Sequence, residues 1–232
     1  MYFLFYLLFI PAILLANQSD FEVGKRLYMK TCSVCHGKNG APNKKLEFKV
    51  KPRDLCKTIL TKQQTYEIIK HGTYYWGSSA DIMPAFKDTY SDKEIDAIAN
   101  YISMRFNKDV DQKIQKLYDE SEKISSEKEA KMLKRGEKIY KRNCSWCHGL
   151  DARGKGEATK TPQKTIYPYN LRKTLLTNKQ MFLYAKYGGH YWGTDKDDMP
   201  SWMKKYDDFT LKSVIKYIDV TFRNGAKNSS KK

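Results

Sequence analysis

The 232-residue sequence has no apolar run long enough to cross a bilayer as a helix. Its longest, residues 2–16, reads YFLFYLLFIPAILLA and falls short of the roughly 20 residues such a helix needs. No stretch shows the alternation of a half-buried strand. That excludes sheet-built classes and leaves an all-α fold. Acidic residues are scarce, 26 against 43 Lys and Arg, giving a net charge of +17. Cysteine is scarce too: four of the five fall in two short clusters and Cys56 stands alone, so no disulfide framework is indicated. A hydrophobic content of 41% excludes global disorder.

The N-terminal run has the character of a secretory h-region with cleavage after Ala16, which implies export and a periplasmic location. No Lys or Arg precedes it, and Leu14 fills the −3 site where a small residue is preferred. An uncleaved N-terminal anchor is therefore the alternative.

The clusters are TCSVCHG, residues 31–37, and NCSWCHG, residues 143–149. A redox disulfide explains neither the following histidine nor the duplication. Four thiolates could hold zinc, but structural zinc pairs sit closer in sequence than these. Covalent haem attachment explains every part. Cys32 and Cys35, and Cys144 and Cys147, form thioethers to two haem c groups, and His36 and His148 reach the irons.

The context is an internal repeat. A shift of 116 pairs KPRDLCKTILTKQQ (51–64) with YPYNLRKTLLTNKQ (167–180), and YYWGSSADIMPAF (74–86) with HYWGTDKDDMPSW (190–202). Before the clusters the shift is 112, which places a four-residue insertion between His148 and Pro168. Each unit reads as a short helix, the Cys/His turn, a loop, a middle helix, a Gly-rich loop ending in Met-Pro, and a final helix. The chain divides into a signal peptide or anchor (1–16), a first domain (17–106), a charged, exposed helical connector (107–131), a second domain (132–224) and a mobile tail (225–232).

Met83 and Met199 lie 47 and 51 residues after their histidines, a difference matching the insertion. Each precedes a proline that stiffens its strap. They are read as the second axial ligands. His71 and His190 have no histidine at the equivalent place in the other unit, and bis-His ligation through one of them is the alternative.

On these residues the chain resembles the dihaem class I cytochromes c, two tandem small domains as in the type-four cytochromes c, over nearly its whole mature length. The resemblance implies that the first and last helices of each unit cross, Gly24 and Tyr28 meeting Tyr101, and Gly136 and Tyr140 meeting Tyr217. It also implies a proline carbonyl accepting from each ligating imidazole, with Pro52 and Pro168 as candidates. Trp146 in one cluster against Val34 in the other implies different surroundings for the two haems.

Aromatic residues around each site (Tyr74, Tyr75, Trp76, Phe86; Tyr191, Trp192, Trp202) lower the local dielectric. Two filled axial positions let the iron change charge without binding substrate. The expected function is a periplasmic electron carrier between a quinol-oxidising cytochrome complex and a terminal oxidase or reductase. The rivals are a thiosulfate-oxidising or peroxidase enzyme, for which Cys56 would be the candidate thiol, and a membrane-held subunit of a respiratory complex. Cys56 is otherwise read as a buried or half-buried free thiol at the start of the middle helix. Residues 17–103 carry a net +4 and residues 132–224 a net +10. An acidic patch on a redox protein, or anionic lipid, is thus expected at the second domain, near Lys155, Lys160 and Lys164. Nucleic acid is not an expected partner of an exported haem protein.

Overall fold

A computed structural model describes residues 12–48, 50–78, 83–118, 125–160, 166–194 and 199–224. No strand occurs among them. Helix α1 (Ala12–Leu27) passes through a π-helical turn (Tyr28–Cys32) into α2 (Ser33–His36), and α3 (Lys62–Tyr75) and α4 (Asp92–Phe106) complete the first unit. After α5 (Val110–Leu117) the pattern returns: α6 (Ser126–Ile139), a π-helical turn (Tyr140–Cys144), α7 (Ser145–His148), α8 (Asn178–Tyr187) and α9 (Asp208–Ile218). Residues 2–11 of the apolar run, Lys164 and the tail 225–232 lie outside the described residues. Among those described, no helix is long and apolar enough to cross a membrane.

Local chemistry sets the helix starts. Thr61 with Gln64, and Thr177 with Gln180, form capping boxes at α3 and α8. Ser91 with Glu94 does the same for α4, and the Asp207 carboxylate accepts from the Thr210 N–H at α9. Each such cap is worth about 1 kcal/mol. The middle helix therefore begins after Thr61, not at Cys56.

Within each unit the first and last helices cross at a glycine, as the resemblance implied. A Cβ on Gly24 would lie 2.0 Å from the Ala97 carbonyl oxygen, and one on Gly136 would lie 2.0 Å from that of Ser213. The backbones touch, so no larger residue fits. Tyr28 packs on Tyr101 with ring centroids 5.3 Å apart, and Tyr140 on Tyr217 at 5.6 Å. Both Tyr28 and Tyr140 are fully buried, and each hydroxyl donates at 2.7 Å to the glycine carbonyl that follows the Cys/His turn, Gly37 and Gly149.

The stretch read as an exposed connector is not exposed throughout. Val110 and Ile114, four residues apart on one face of α5, are buried in the second unit's core, which also takes in Ile59 of the first. Charge dominates the stretch 107–131 as a whole, but the apolar stripe on α5 is enough to dock it. Helix α6 begins at Ser126, inside that same stretch.

The two units meet about a pseudo-twofold axis, and residues 116 apart play the same part on each side. The Asp54 N–H donates to the Gly193 carbonyl at 2.9 Å, and the Asn170 N–H to that of Gly77 at 2.7 Å. A Cβ on Gly193 would lie 2.6 Å from the Asp54 oxygen, so this contact also demands glycine. At the centre the Gln64 and Gln180 amides exchange two hydrogen bonds, of 2.8 and 2.7 Å. Each Nε2 also donates across the interface, to Leu175 O and Ile59 O, and each Oε1 accepts from its own capping threonine N–H. Both side chains are buried and every polar atom is satisfied.

Removing one member strands the other. Gln180→Leu should lower stability by about 2–3 kcal/mol, whereas Gln64→Leu with Gln180→Leu should cost less than the sum of the single changes. Urea unfolding of the three variants measures this, and strict additivity would contradict the paired-amide arrangement.

Candidate functional site

Each Cys/His turn grows out of the first helix of its unit. The π-helical turn swings the chain so that Cys32, Cys35 and His36, at i, i+3 and i+4, share one side of the following turn. Cys144, Cys147 and His148 repeat this. Gly37 and Gly149 end the turns at φ of +67° and +79°, a conformation that favours glycine. Cys32 and Cys144 are half-buried against the cores, and burial pushes each thiol up to about 12. Burial raises the Cys147 thiol as well.

His36 Nδ1 lies 3.0 Å from the Arg53 carbonyl oxygen, and His148 Nδ1 lies 3.0 Å from that of Tyr169. A carbonyl only accepts, so each Nδ1 carries the proton and Nε2 presents a lone pair. Among the described residues Nε2 has no hydrogen-bond partner on either ring. Desolvation lowers both imidazoles below their ordinary range, which keeps them neutral. A neutral ring with Nδ1 bonded and Nε2 free is the metal-ligating form. The acceptors are thus one residue beyond Pro52 and Pro168. Proline fixes the local φ, but the turn that follows aims the next carbonyl at the ring.

Met83 and Met199 sit at the edges of the two cores on equivalent straps. The Met83 carbonyl accepts from Thr73 N–H at 3.1 Å, and that of Met199 from Gly189 N–H at 2.7 Å. Gly72 and Gly188, with φ of +73° and +81°, let each strap lie against the end of its middle helix. A cleft of about 560 Å³ opens beside the first strap, between His71, Tyr75, Met83, Pro84 and, from the second unit, Lys173. The Trp76 indole donates to Glu67 O and the Trp192 indole to Leu183 O, both at 3.1 Å, which fixes the equivalent aromatic walls.

His71 lines the same cleft. Its Nε2 is 3.7 Å from Glu67 and its ring stacks on Tyr75 at 4.7 Å. His190 is exposed on a 3-10 turn. Among the described residues no three His, Cys, Asp or Glu side chains gather as a metal site, so the four clustered thiols do not form a zinc centre. The donor set does fit haem c in each unit: paired thiols, a neutral imidazole with a free Nε2, a thioether strap and aromatic walls.

Cys56 corrects the sequence reading. It is exposed, not buried. The Asp54 carboxylate accepts the Cys56 N–H at 3.0 Å, and the resulting turn gives the inward slot to Leu55. The Cys56 thiol contacts the Asn39 carbonyl at 3.3 Å. Sequence reasoning missed Gln64, Gln180 and Arg53. The two glutamines sat at equivalent places in the repeat, which was the available signal. Arg53 has Tyr169 as its counterpart and gave none.

These features define a c-type cytochrome built from two cytochrome segments. The chain belongs to the family described as cytochrome c oxidase, cbb3-type, subunit III, which matches residues 19–102 and 131–218. Membership makes it a protein of electron transfer that binds haem c covalently. A solved structure, the reducing HAO-like protein complex of Kuenenia stuttgartiensis, is similar to the chain with a TM-score of 0.43 and 20% identity, covering 85% of this chain and 94% of that one.

Partial desolvation of the sulfur, which lies against the Asn39 carbonyl, and the neighbouring Asp54 carboxylate raise the Cys56 thiol above its ordinary range although the residue is exposed, so it holds less thiolate at a given pH. Its alkylation in the native protein should be slower at pH 8 than that of an unstructured cysteine, and should catch up only at higher pH. Cys56→Ser should abolish the labelling without changing the haem spectra. A rate above that of the unstructured cysteine would indicate the stabilised thiolate of a catalytic residue.

Proposed function

We propose that the chain is an exported dihaem electron carrier of the periplasm. It takes electrons from a donor such as a quinol-oxidising cytochrome complex and passes them to a terminal oxidase or reductase. The observation that carries this is the duplicated site, in which each ligand imidazole has its Nδ1 held by a carbonyl and its Nε2 free. Cys32, Cys35 and His36 with Met83 would hold the first haem, and Cys144, Cys147 and His148 with Met199 the second. Bound haem supplies reversible one-electron exchange between ferric and ferrous iron. The protein's part would be to offer an imidazole and a thioether at each site, exclude water with aromatic walls and fix the geometry, so that little rearranges when the charge changes. A thiol above its ordinary pKa at Cys56 argues for this carrier over a thiol-dependent enzyme.

The family's description, a subunit of an oxidase, supports a second reading, a membrane-held subunit of a respiratory complex. Recovery of the protein in washed membranes, and not in the periplasmic fraction, would favour it.

Denatured protein should retain two haems per chain, and Cys144→Ala with Cys147→Ala should leave one. Retention of both in that variant would overturn the assignment. Met199→Ala should open the second iron to carbon monoxide in the reduced protein, while the wild type binds little.

The basic second unit suits docking of an acidic redox partner. Trp146 and Leu150, 59% and 70% exposed beside the second Cys/His turn, offer an apolar centre, with Lys155 exposed nearby. Lys160 is paired with Glu157 at 2.6 Å, which reduces its pull. In the full-length protein, Lys155→Glu should slow bimolecular electron transfer to an acidic partner several-fold at low salt, and more than Lys38→Glu in the first unit does. The difference should vanish near 1 M salt, where screening acts within about 3 Å. Equal effects of the two changes would exclude the second unit as the port.

A further inference from the structure

The carbonyl that holds each imidazole and the N–H that docks the units belong to one peptide group. His36 Nδ1–H donates to the Arg53 carbonyl at 3.0 Å, and the N–H of that same peptide, carried by Asp54, donates to Gly193 O at 2.9 Å. In the other half His148 Nδ1–H donates to the Tyr169 carbonyl at 3.0 Å, and the Asn170 N–H donates to Gly77 O at 2.7 Å. Two short hydrogen-bond chains thus run from an imidazole, through a single peptide, to a glycine of the opposite unit. They cross: the first site ends on Gly193 and the second site on Gly77.

Each relay peptide sits in a turn made by its own unit. The Asp54 carboxylate accepts the Cys56 N–H, and the Asn170 side-chain oxygen accepts the Arg172 N–H, each at 3.0 Å. The side chains beside the relays differ, Arg53 against Tyr169 and Asp54 against Asn170, yet the backbone bonds repeat. The accepting glycines have φ of +95° at Gly77 and +85° at Gly193. A Cβ would lie 2.8 Å from Asn170 O at the first and 2.6 Å from Asp54 O at the second. Each glycine follows the tryptophan of its own unit's aromatic wall, so a purely local role would be felt in its own unit.

We propose that Gly193 and Gly77 are positioning residues for the opposite unit's site. By accepting from the relay peptide, each strengthens the carbonyl that holds the other unit's imidazole, and so sets that ring's strength as a ligand. This rests on the haem reading above. Hydrogen bonds in a chain polarise one another, so a peptide whose N–H is engaged has a better accepting oxygen. A stronger acceptor at Nδ1 raises the basicity of Nε2, and a more basic ligand favours the ferric state. Loss of a relay should therefore raise the potential of the site it serves. Water entering an opened interface acts the other way, because it relieves the cost of ferric charge in low dielectric. The two effects differ in sign and in place.

The test is a redox titration of the full-length haem-loaded protein, with the steps assigned using Cys144→Ala with Cys147→Ala. Amide exchange at residues 54 and 170, read by NMR, accompanies it. Each variant is compared with the wild type, so the fixed charges beside the two sites cancel. Gly193→Asn keeps the left-handed φ, which asparagine tolerates, and adds the Cβ. It should make the residue 54 amide exchange about tenfold faster and leave that of residue 170 unchanged. The first site's potential should rise by about threefold in its equilibrium constant, about 28 mV for one electron, while the second moves little. Gly77→Asn should give the mirror image, at the residue 170 amide and the second site. A fall at both sites, a change confined to the substituted unit, or unchanged potentials would each overturn the proposal. So would wild-type amides at 54 and 170 that exchange as fast as an unstructured chain, a result that needs no variant. A wild type without two haem steps would instead overturn the haem reading, and this proposal with it.

Discussion

The hydrogen bond from the imidazoles of His36 and His148, the proposed haem ligands, to a backbone carbonyl is the contact on which the rest of the architecture turns. It fixes the tautomer, leaving Nε2 as the free lone pair, and it pins the loop that follows the Cys/His turn. The two loops differ in length: 17 residues separate His36 from Arg53, and 21 separate His148 from Tyr169. Both bonds nevertheless measure 3.0 Å. The insertion is absorbed elsewhere in the loop, while the acceptor stays where the ring requires it. An arrangement kept across such a length change is a constraint of the site and not an accident of packing.

The same peptides dock the units. Residue 53 accepts from an imidazole and residue 54 donates to the other unit, and the relation holds again at 169 and 170. Anything that pulled the units apart would therefore disturb the backbone that orients both rings. The Gln64–Gln180 pair at the centre contributes register more than raw stability. A buried amide pair gains little over water when fully satisfied, but an offset of one residue would leave several polar groups unpaired. Ile59, Val110 and Ile114 add apolar area to the second core from the first unit and from α5. The units are consequently not independent beads on a linker.

Much of this was legible because it is local or repeated. The Cys/His turns, the capping residues and the crossings at Gly24 and Gly136 are written in short-range patterns, and duplication doubled each signal. The misreadings share a different cause. Spacing does not encode where a carbonyl points, so the acceptors were placed on Pro52 and Pro168, one residue early. Charge content concealed the Val110 and Ile114 stripe on α5. A one-residue turn at Asp54 exchanged the inward slot between Leu55 and Cys56. Arg53 and the glutamine pair depend on how the two units meet, and no single-unit pattern carries that information.

Duplication by itself yields two equivalent sites, and equivalent sites give an electron no preferred place to rest. The interface preserves that equivalence in its backbone: the peptide bonds at 54 and 170, the glutamine pair and the close-packed Gly77 and Gly193 obey one pseudo-twofold relation. Departures from the relation are confined to side chains that leave it intact. Trp146 replaces Val34 on the exposed face, the second unit carries most of the positive charge, and Arg53 stands where the second unit has a tyrosine. Neither Trp146 nor Arg53 is among the residues of the helix crossings or the paired amides, so the fold is free to vary them. In the proposed carrier the first two act on the second unit, through the partner that could reach it. A symmetric scaffold with a few asymmetric side chains can favour one face for docking without altering either set of Cys, His and Met residues.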